Sequence, residues 1–202
     1  MMKLYLIRHG ETDWNKEGKL QGRTDIPLNE DGRAVAELTR DAMKNIEFQV
    51  AFTSPLIRAR ETAEIILKDR DIPIVNEERI IEVGFGEYEG SPKSEWDENM
   101  KKFFFHTECY VPSGDGETPE AVLVREKAFL EELFHNPQYQ DSTILISTHG
   151  AALSGLLTII KGNPISEYWA GGLHKNCGVS IVEVENGEAK IVQEAITFYQ
   201  EK

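Results

Sequence analysis

Leu4-Tyr5-Leu6-Ile7-Arg8-His9-Gly10-Glu11-Thr12 is the stretch that decides the fold. A short unbroken apolar run suits a strand buried on both faces, and such strands belong to sheets covered by helices on either side. The run then switches abruptly to an arginine, a histidine and a glycine. That places reactive groups at the C-terminal end of a strand, the edge where open α/β sheets bind ligands.

Outward from this point the pattern repeats. Ile144-Leu145-Ile146-Ser147 leads through Thr148 to His149-Gly150, and Val50-Ala51-Phe52-Thr53 leads through Ser54-Pro55 to Arg58. Further apolar runs occupy residues 72–75 and 179–184, and an alternating stretch from Ala189 to Ile196 follows the Glu185-Asn186-Gly187-Glu188 turn. Residues 178–196 therefore read as a terminal hairpin. Between the runs, apolar residues recur at helical spacing: Val35, Leu38, Ala42 and Met43; Ala59, Ala63, Ile66 and Leu67; Val122, Phe129, Leu130 and Leu133. Ser54 before Pro55 and Thr118 before Pro119 have the form of an N-cap followed by a first-turn proline. The expected fold is α/β: a three-layer sandwich with a mostly parallel central sheet, one antiparallel edge strand, and helices on both faces.

The 202 residues suffice for one self-sufficient domain spanning 1–202, and no linker, repeat or low-complexity segment interrupts them. Residues 91–116 are the least regular part, mixing polar residues with Trp96 and Phe103-Phe104-Phe105, and are expected to form a lid or substrate wall. A net charge of −13 argues against nucleic acid and anionic membranes as partners, while leaving room for a small anion bound by a few well-placed arginines. Cys109 and Cys177 lack metal or disulfide spacing, so both are expected as free thiols. The N-terminal apolar run is too short for a signal-peptide core and no stretch reaches transmembrane length, so a cytoplasmic location is the expectation.

Arg8, His9, Arg58 and His149 thus lie near strand ends of one sheet edge, where they can converge. Arginine offers rigid, permanently charged, bidentate donors to phosphate oxygens, and backbone N–H groups near Gly10 and Gly150 add a positive field at turns entering helices. A neutral imidazole attacks phosphorus and splits one displacement into two. The second histidine can then be cationic and stabilise the transferring group.

Together these blocks resemble the histidine phosphatase superfamily, in its phosphoglycerate mutase-like branch of small phosphatases. The resemblance runs over nearly the whole chain. It rests on Arg8-His9-Gly10-Glu11-Thr12-Asp13-Trp14-Asn15, Leu20-Gln21-Gly22, Asp25 to Asn29, Ser54 to Ala59, Glu82 with Phe85 to Gly90, and Ser147-Thr148-His149-Gly150. It implies that His9 is the nucleophile, that Arg8, Arg58 and His149 complete a phosphate pocket, that Asn15 contacts phosphate and that Gln21 and Gly22 border the substrate. It also implies Glu82 as proton donor to the leaving group, with Glu87 and Glu89 as weaker candidates. The chain departs from the family at Asp115-Gly116-Glu117-Thr118, where relatives often carry Gly-Gly-Glu-Ser, and the segment from Ser91 to Gly114 matches nothing in it.

The expected activity is metal-independent hydrolysis of a small phosphomonoester through a phosphohistidine. No cofactor and no metal site are expected, and the partner is a small phosphorylated metabolite, with monomer and homodimer both open. A phosphoglycerate-type mutase and a phospho-ligand binder without turnover are the alternatives. His106, His135 and His174 are read as surface or core histidines, Arg60 as an exposed helix residue, and Phe103 to Phe105 as packing beneath a lid.

Overall fold

The computed structural model describes residues 1–199. Six strands form one sheet: β1 (Met2–Arg8), β2 (Val50–Thr53), β3 (Ile74–Asn76), β4 (Thr143–Thr148), β5 (Val179–Glu185) and β6 (Glu188–Ile196). Their order is β3-β2-β4-β1-β5-β6. The first four are mutually parallel, while β5 runs against β1 and β6 against β5, so the terminal hairpin supplies the antiparallel end of the sheet.

Alternation along β1 sorts the two cores. Met2, Leu4 and Leu6 face one side, where Phe129, Leu130 and Leu133 of α5 (Pro119–His135) and Leu153, Leu156 and Leu157 of α6 (Gly150–Lys161) cover them. Tyr5 and Ile7 face the other, against Ala36 of α2 (Glu30–Ala42) and Ala63 and Ile66 of α3 (Ile57–Ile66). With both faces covered, β4 is buried at five of its six positions, which is why it reads as a continuous apolar run. Two short helices remain: α1 (Asp13–Lys16), closed by a capping box between Thr12 and Asn15, and α4 (Glu98–Phe105).

Thr118 caps α5 as expected, its side chain accepting from the N–H of Ala121 with Pro119 in the first turn. Ser54 does not cap α3. That helix begins at Ile57 without a side-chain cap, and Ser54 Oγ is held instead against His149 Nε2 at 2.6 Å. Leu38 also departs from the helical reading: it is 50% exposed, and Ala36 takes the buried position on α2.

Candidate active site

The chain ends of β1, β2 and β4 and the N-terminus of α6 open into a cavity of about 740 Å³. Arg8, His9, Asn15, Gln21, Gly22 and Arg58 line it, as do Glu82 and Gly150. Of the residues expected in the phosphate pocket and its substrate border, His149 alone is absent from the lining. It lies directly behind, fully buried, with its ring centroid 5.2 Å from that of His9.

Backbone contacts orient His9. Its Nδ1 lies 2.6 Å from the carbonyl oxygen of Gly10. A carbonyl can only accept, so Nδ1 carries the proton and Nε2 keeps its lone pair. Burial, followed by the charges of Arg58 and Arg8, holds the His9 pKa well below the usual imidazole value. At neutral pH this ring is uncharged.

Arg58 enters from the first turn of α3 and is completely buried. Nη1 donates to the carbonyl of Thr24 at 2.8 Å, Nη2 to that of Gly22 at 2.6 Å, and Nε to His149 Nδ1 at 3.1 Å. Desolvation lowers its pKa to about 10, so it stays charged. The Arg58 contact also fixes His149: Nδ1 accepts, hence Nε2 is protonated and faces Ser54. Burial and Arg58 depress the His149 pKa well below the ordinary value, and the expected imidazolium is replaced by a neutral ring bridging Arg58 and Ser54.

On the opposite side Arg8 donates through Nη1 to the His174 carbonyl at 2.6 Å, while its buried Nε has no hydrogen-bond acceptor among the described residues. A buried guanidinium donor without an acceptor is costly unless a ligand supplies one. Thr12 turns two amides the same way. Asn15 Oδ1 accepts from the Thr12 N–H at 3.1 Å and Gln21 Oε1 lies 2.9 Å from Thr12 Oγ1. Both oxygens are occupied, so the NH2 groups are the ends left to meet an anion.

Glu82 sits under the N-terminus of α6. Its carboxylate accepts from the backbone N–H groups of Val83 at 3.0 Å, Ala152 at 2.9 Å and Ala151 at 3.2 Å. Glu89, by contrast, is spent on structure: it takes N–H groups from Arg23, Thr24 and Phe85 and the hydroxyl of Thr24. It also packs so tightly on Gly22, at φ +55°, that a Cβ there would overlap its carboxylate. Glu87 bonds Ser113 at the surface. Neither lines the cavity.

Two expectations for backbone donors separate. Gly150 opens α6 at the cavity, whereas the N–H of Gly10 is already used by Thr62 Oγ1 at 2.9 Å. Gly10 is there for space, because a Cβ would come within 2.8 Å of the Gly32 carbonyl oxygen. Asn176 lines the cavity as well; its Nδ2 reaches the His9 carbonyl at 3.0 Å and Asn15 Oδ1 at 3.3 Å, across more than 160 residues of chain. No local signal announces such a contact. His106 and His135 are exposed, and Arg60 pairs with Glu64 at 2.8 Å. His174 is buried against Ser180.

Trp96, Phe104 and Phe105 complete the cavity with Lys93 and Lys101, all from the 91–116 segment. The three phenylalanines divide: Phe103 is fully buried beneath Phe85 and Tyr110, Phe104 stacks on Trp96 at 5.0 Å, and Phe105 is 69% exposed. No group of three or more His, Cys, Asp or Glu side chains among the described residues is arranged to hold a metal ion. No helix among them is long and apolar enough to cross a membrane.

Comparison with known proteins agrees with this geometry. The uncharacterized phosphatase PhoE of Bacillus subtilis is 39% identical over 162 residues, covering 80% of this chain and 79% of that protein. The solved structure of YhfR from Bacillus stearothermophilus superposes with a TM-score of 0.91 at 32% identity, covering 98% of this chain and 99% of that one. Phosphoserine phosphatase from Entamoeba histolytica, solved in complex with 3-phosphoglyceric acid, gives a TM-score of 0.85 at 30% identity over 98% of each chain. The sequence profile of the histidine phosphatase superfamily, branch 1, matches residues 4–197, and the chain belongs to that superfamily as an enzyme of the histidine phosphatase type.

Proposed function

We propose that the protein hydrolyses small phosphomonoesters in two displacements, with His9 as the phosphoryl carrier and no metal in the reaction. The observation that carries this reading is the pairing of a neutral His9, its Nε2 bare, with a buried Arg8 Nε that has no protein acceptor, both lining one cavity. A nucleophile and a waiting anion donor side by side are what phosphoryl transfer requires.

In the first step Nε2 of His9 attacks phosphorus and the P–O bond to the alcohol breaks. Glu82, in the floor of the same cavity, enters this step as the carboxylic acid and gives its proton to the departing oxygen. In the second step Glu82 takes a proton from water, the water oxygen attacks phospho-His9, the N–P bond breaks, and inorganic phosphate leaves. Arg8, Arg58 and the amide groups of Asn15 and Gln21 meet the phosphoryl oxygens throughout. His149 acts from behind by holding Arg58, and the 91–116 segment forms the wall against which the alcohol portion lies.

The test is phosphate release from a panel of phosphorylated metabolites in the presence of chelator, with isomerised product followed in the same samples. Release that survives chelator and disappears in His9→Ala supports the reading. Isomerised product without free phosphate would make the protein a mutase instead, and activity retained by His9→Ala would remove His9 from the mechanism.

A further inference from the structure

The charge of the cavity is opposite to that of the chain. The sequence carries 22 Lys and Arg against 35 Asp and Glu. The cavity lining carries five cations, Arg8, Lys19, Arg58, Lys93 and Lys101, against two carboxylates, Glu11 and Glu82. Arg8 and Arg58 belong to the phosphoryl floor. The three lysines do not: Lys93 and Lys101 are exposed and Lys19 is half-buried, so they stand at the outer end.

Lys19 and Lys93 are brought together by the backbone. Lys19 bridges Pro92 in antiparallel fashion, Leu20 N–H donates to the Ser91 carbonyl at 3.0 Å, and Lys93 N–H to the Gly18 carbonyl at 3.3 Å. Two ammonium groups lining the same cavity repel unless something anionic lies between or beside them. Lys19 is answered by Glu17 at 2.6 Å and Lys101 by Glu98 at 2.7 Å. Lys93 has no carboxylate within ion-pair distance among the described residues, although acidic side chains outnumber basic ones over the chain as a whole. Between this rim and the floor lie the apolar faces of Leu20, Phe85, Trp96, Phe104 and Trp169.

We infer that Lys93, flanked by Lys19 and Lys101, is a specificity-determining residue for a substrate bearing a second anionic group, held apart from its phosphate by an apolar spacer. This rests on the phosphatase reading above. The floor takes the phosphoryl group, the aromatic walls take the spacer, and the rim ammonium takes a carboxylate or second phosphate at the far end. Because Lys93 is exposed, its preference weakens as salt is added.

Two esters that differ by one charge at equal size test this: 4-carboxyphenyl phosphate and 4-carbamoylphenyl phosphate. Their kcat/KM ratio is measured in wild type, Lys93→Met and Lys93→Arg, at low and high salt. Their binding to His9→Ala is measured by calorimetry. The carboxylated ester is expected to be favoured roughly three- to fivefold at low salt, with the preference lost in Lys93→Met, kept in Lys93→Arg and diminished by salt. Changes in leaving-group reactivity cancel in the comparison between variants. Equal values for the two esters, or a preference that Lys93→Met leaves intact, would overturn the inference. The two readings fail separately: turnover without charge preference removes the lysine subsite alone, whereas charge-selective binding without turnover keeps the subsite and removes the phosphatase.

Discussion

The floor and the outer wall of the same cavity are held by different forces. In the floor, His9 is 2% exposed, Arg58 0% and Glu82 7%; Arg58 and Glu82 are pinned by hydrogen bonds to backbone atoms of distant segments and His9 by the carbonyl of the adjacent Gly10. In the wall, Trp96, Phe104 and Trp169 hold one another through ring contacts at 5.0 and 5.1 Å, and Phe105 stands 69% exposed. Directional contacts that are satisfied before substrate arrives make a preorganised electrostatic site, which has nothing to reorganise during the reaction. Apolar contacts specify shape loosely and tolerate exchange. On the proposed reading, the chemistry is therefore rigid and the choice of alcohol adaptable.

Substitutions in the two regions should differ in size and in kind. Arg58→Ala removes a buried cation that also holds His149 and the carbonyls of Gly22 and Thr24, and is expected to cost about 2–4 kcal/mol in transition-state stabilisation. An unchanged kcat/KM would erase the distinction between floor and wall. Glu82→Gln sharpens it, because its cost depends on the leaving group: on the order of a hundredfold for an alkyl phosphate, and far less for p-nitrophenyl phosphate, whose alcohol leaves without a proton. Equal losses on both esters would remove Glu82 as the acid.

The floor also predicts how stability responds to acid. His9 and His149 are both held well below the usual imidazole value when folded, so the unfolded chain binds more protons as pH falls. The sign follows: stability is full above the unfolded histidine pKa and declines below about 6.5, by up to about 1.4 kcal/mol per pH unit for each ring. Urea unfolding from pH 8 to pH 5 measures this, and His149→Gln should flatten the decline. A steeper decline in that variant would mean that His149 is charged in the fold. The smallest effect belongs to the wall: Phe105→Ala should raise KM by about two- to fivefold with kcat unchanged, since an exposed ring contributes contact area and little else. A collapse of kcat there would show the wall taking part in the chemistry.

How far the sequence could be read follows the same division. Apolar runs ending in Arg8-His9-Gly10 and His149-Gly150 expose the strands and their reactive ends together, because a parallel sheet writes burial as an unbroken run. Thr118-Pro119 is legible because its cap is local. Ser54-Pro55 misleads because Ser54 is claimed by His149, 95 residues away, and a tertiary partner outweighs a local preference. The neutral state of His149 was hidden for the same reason, since it depends on Arg58 approaching from another strand end. In the 91–116 segment no period distinguishes Phe103, wholly buried, from Phe105, largely exposed, two residues on in α4. Only the packed structure separates them.

The two-step route through His9 is tested most directly by stereochemistry at phosphorus. A phosphomonoester made chiral at phosphorus with sulfur and oxygen isotopes is hydrolysed in isotopically labelled water, and the configuration of the released thiophosphate is determined. Each in-line displacement inverts phosphorus, so transfer to His9 followed by transfer to water predicts net retention. Net inversion would mean that water attacks the ester in a single step, and would contradict the account.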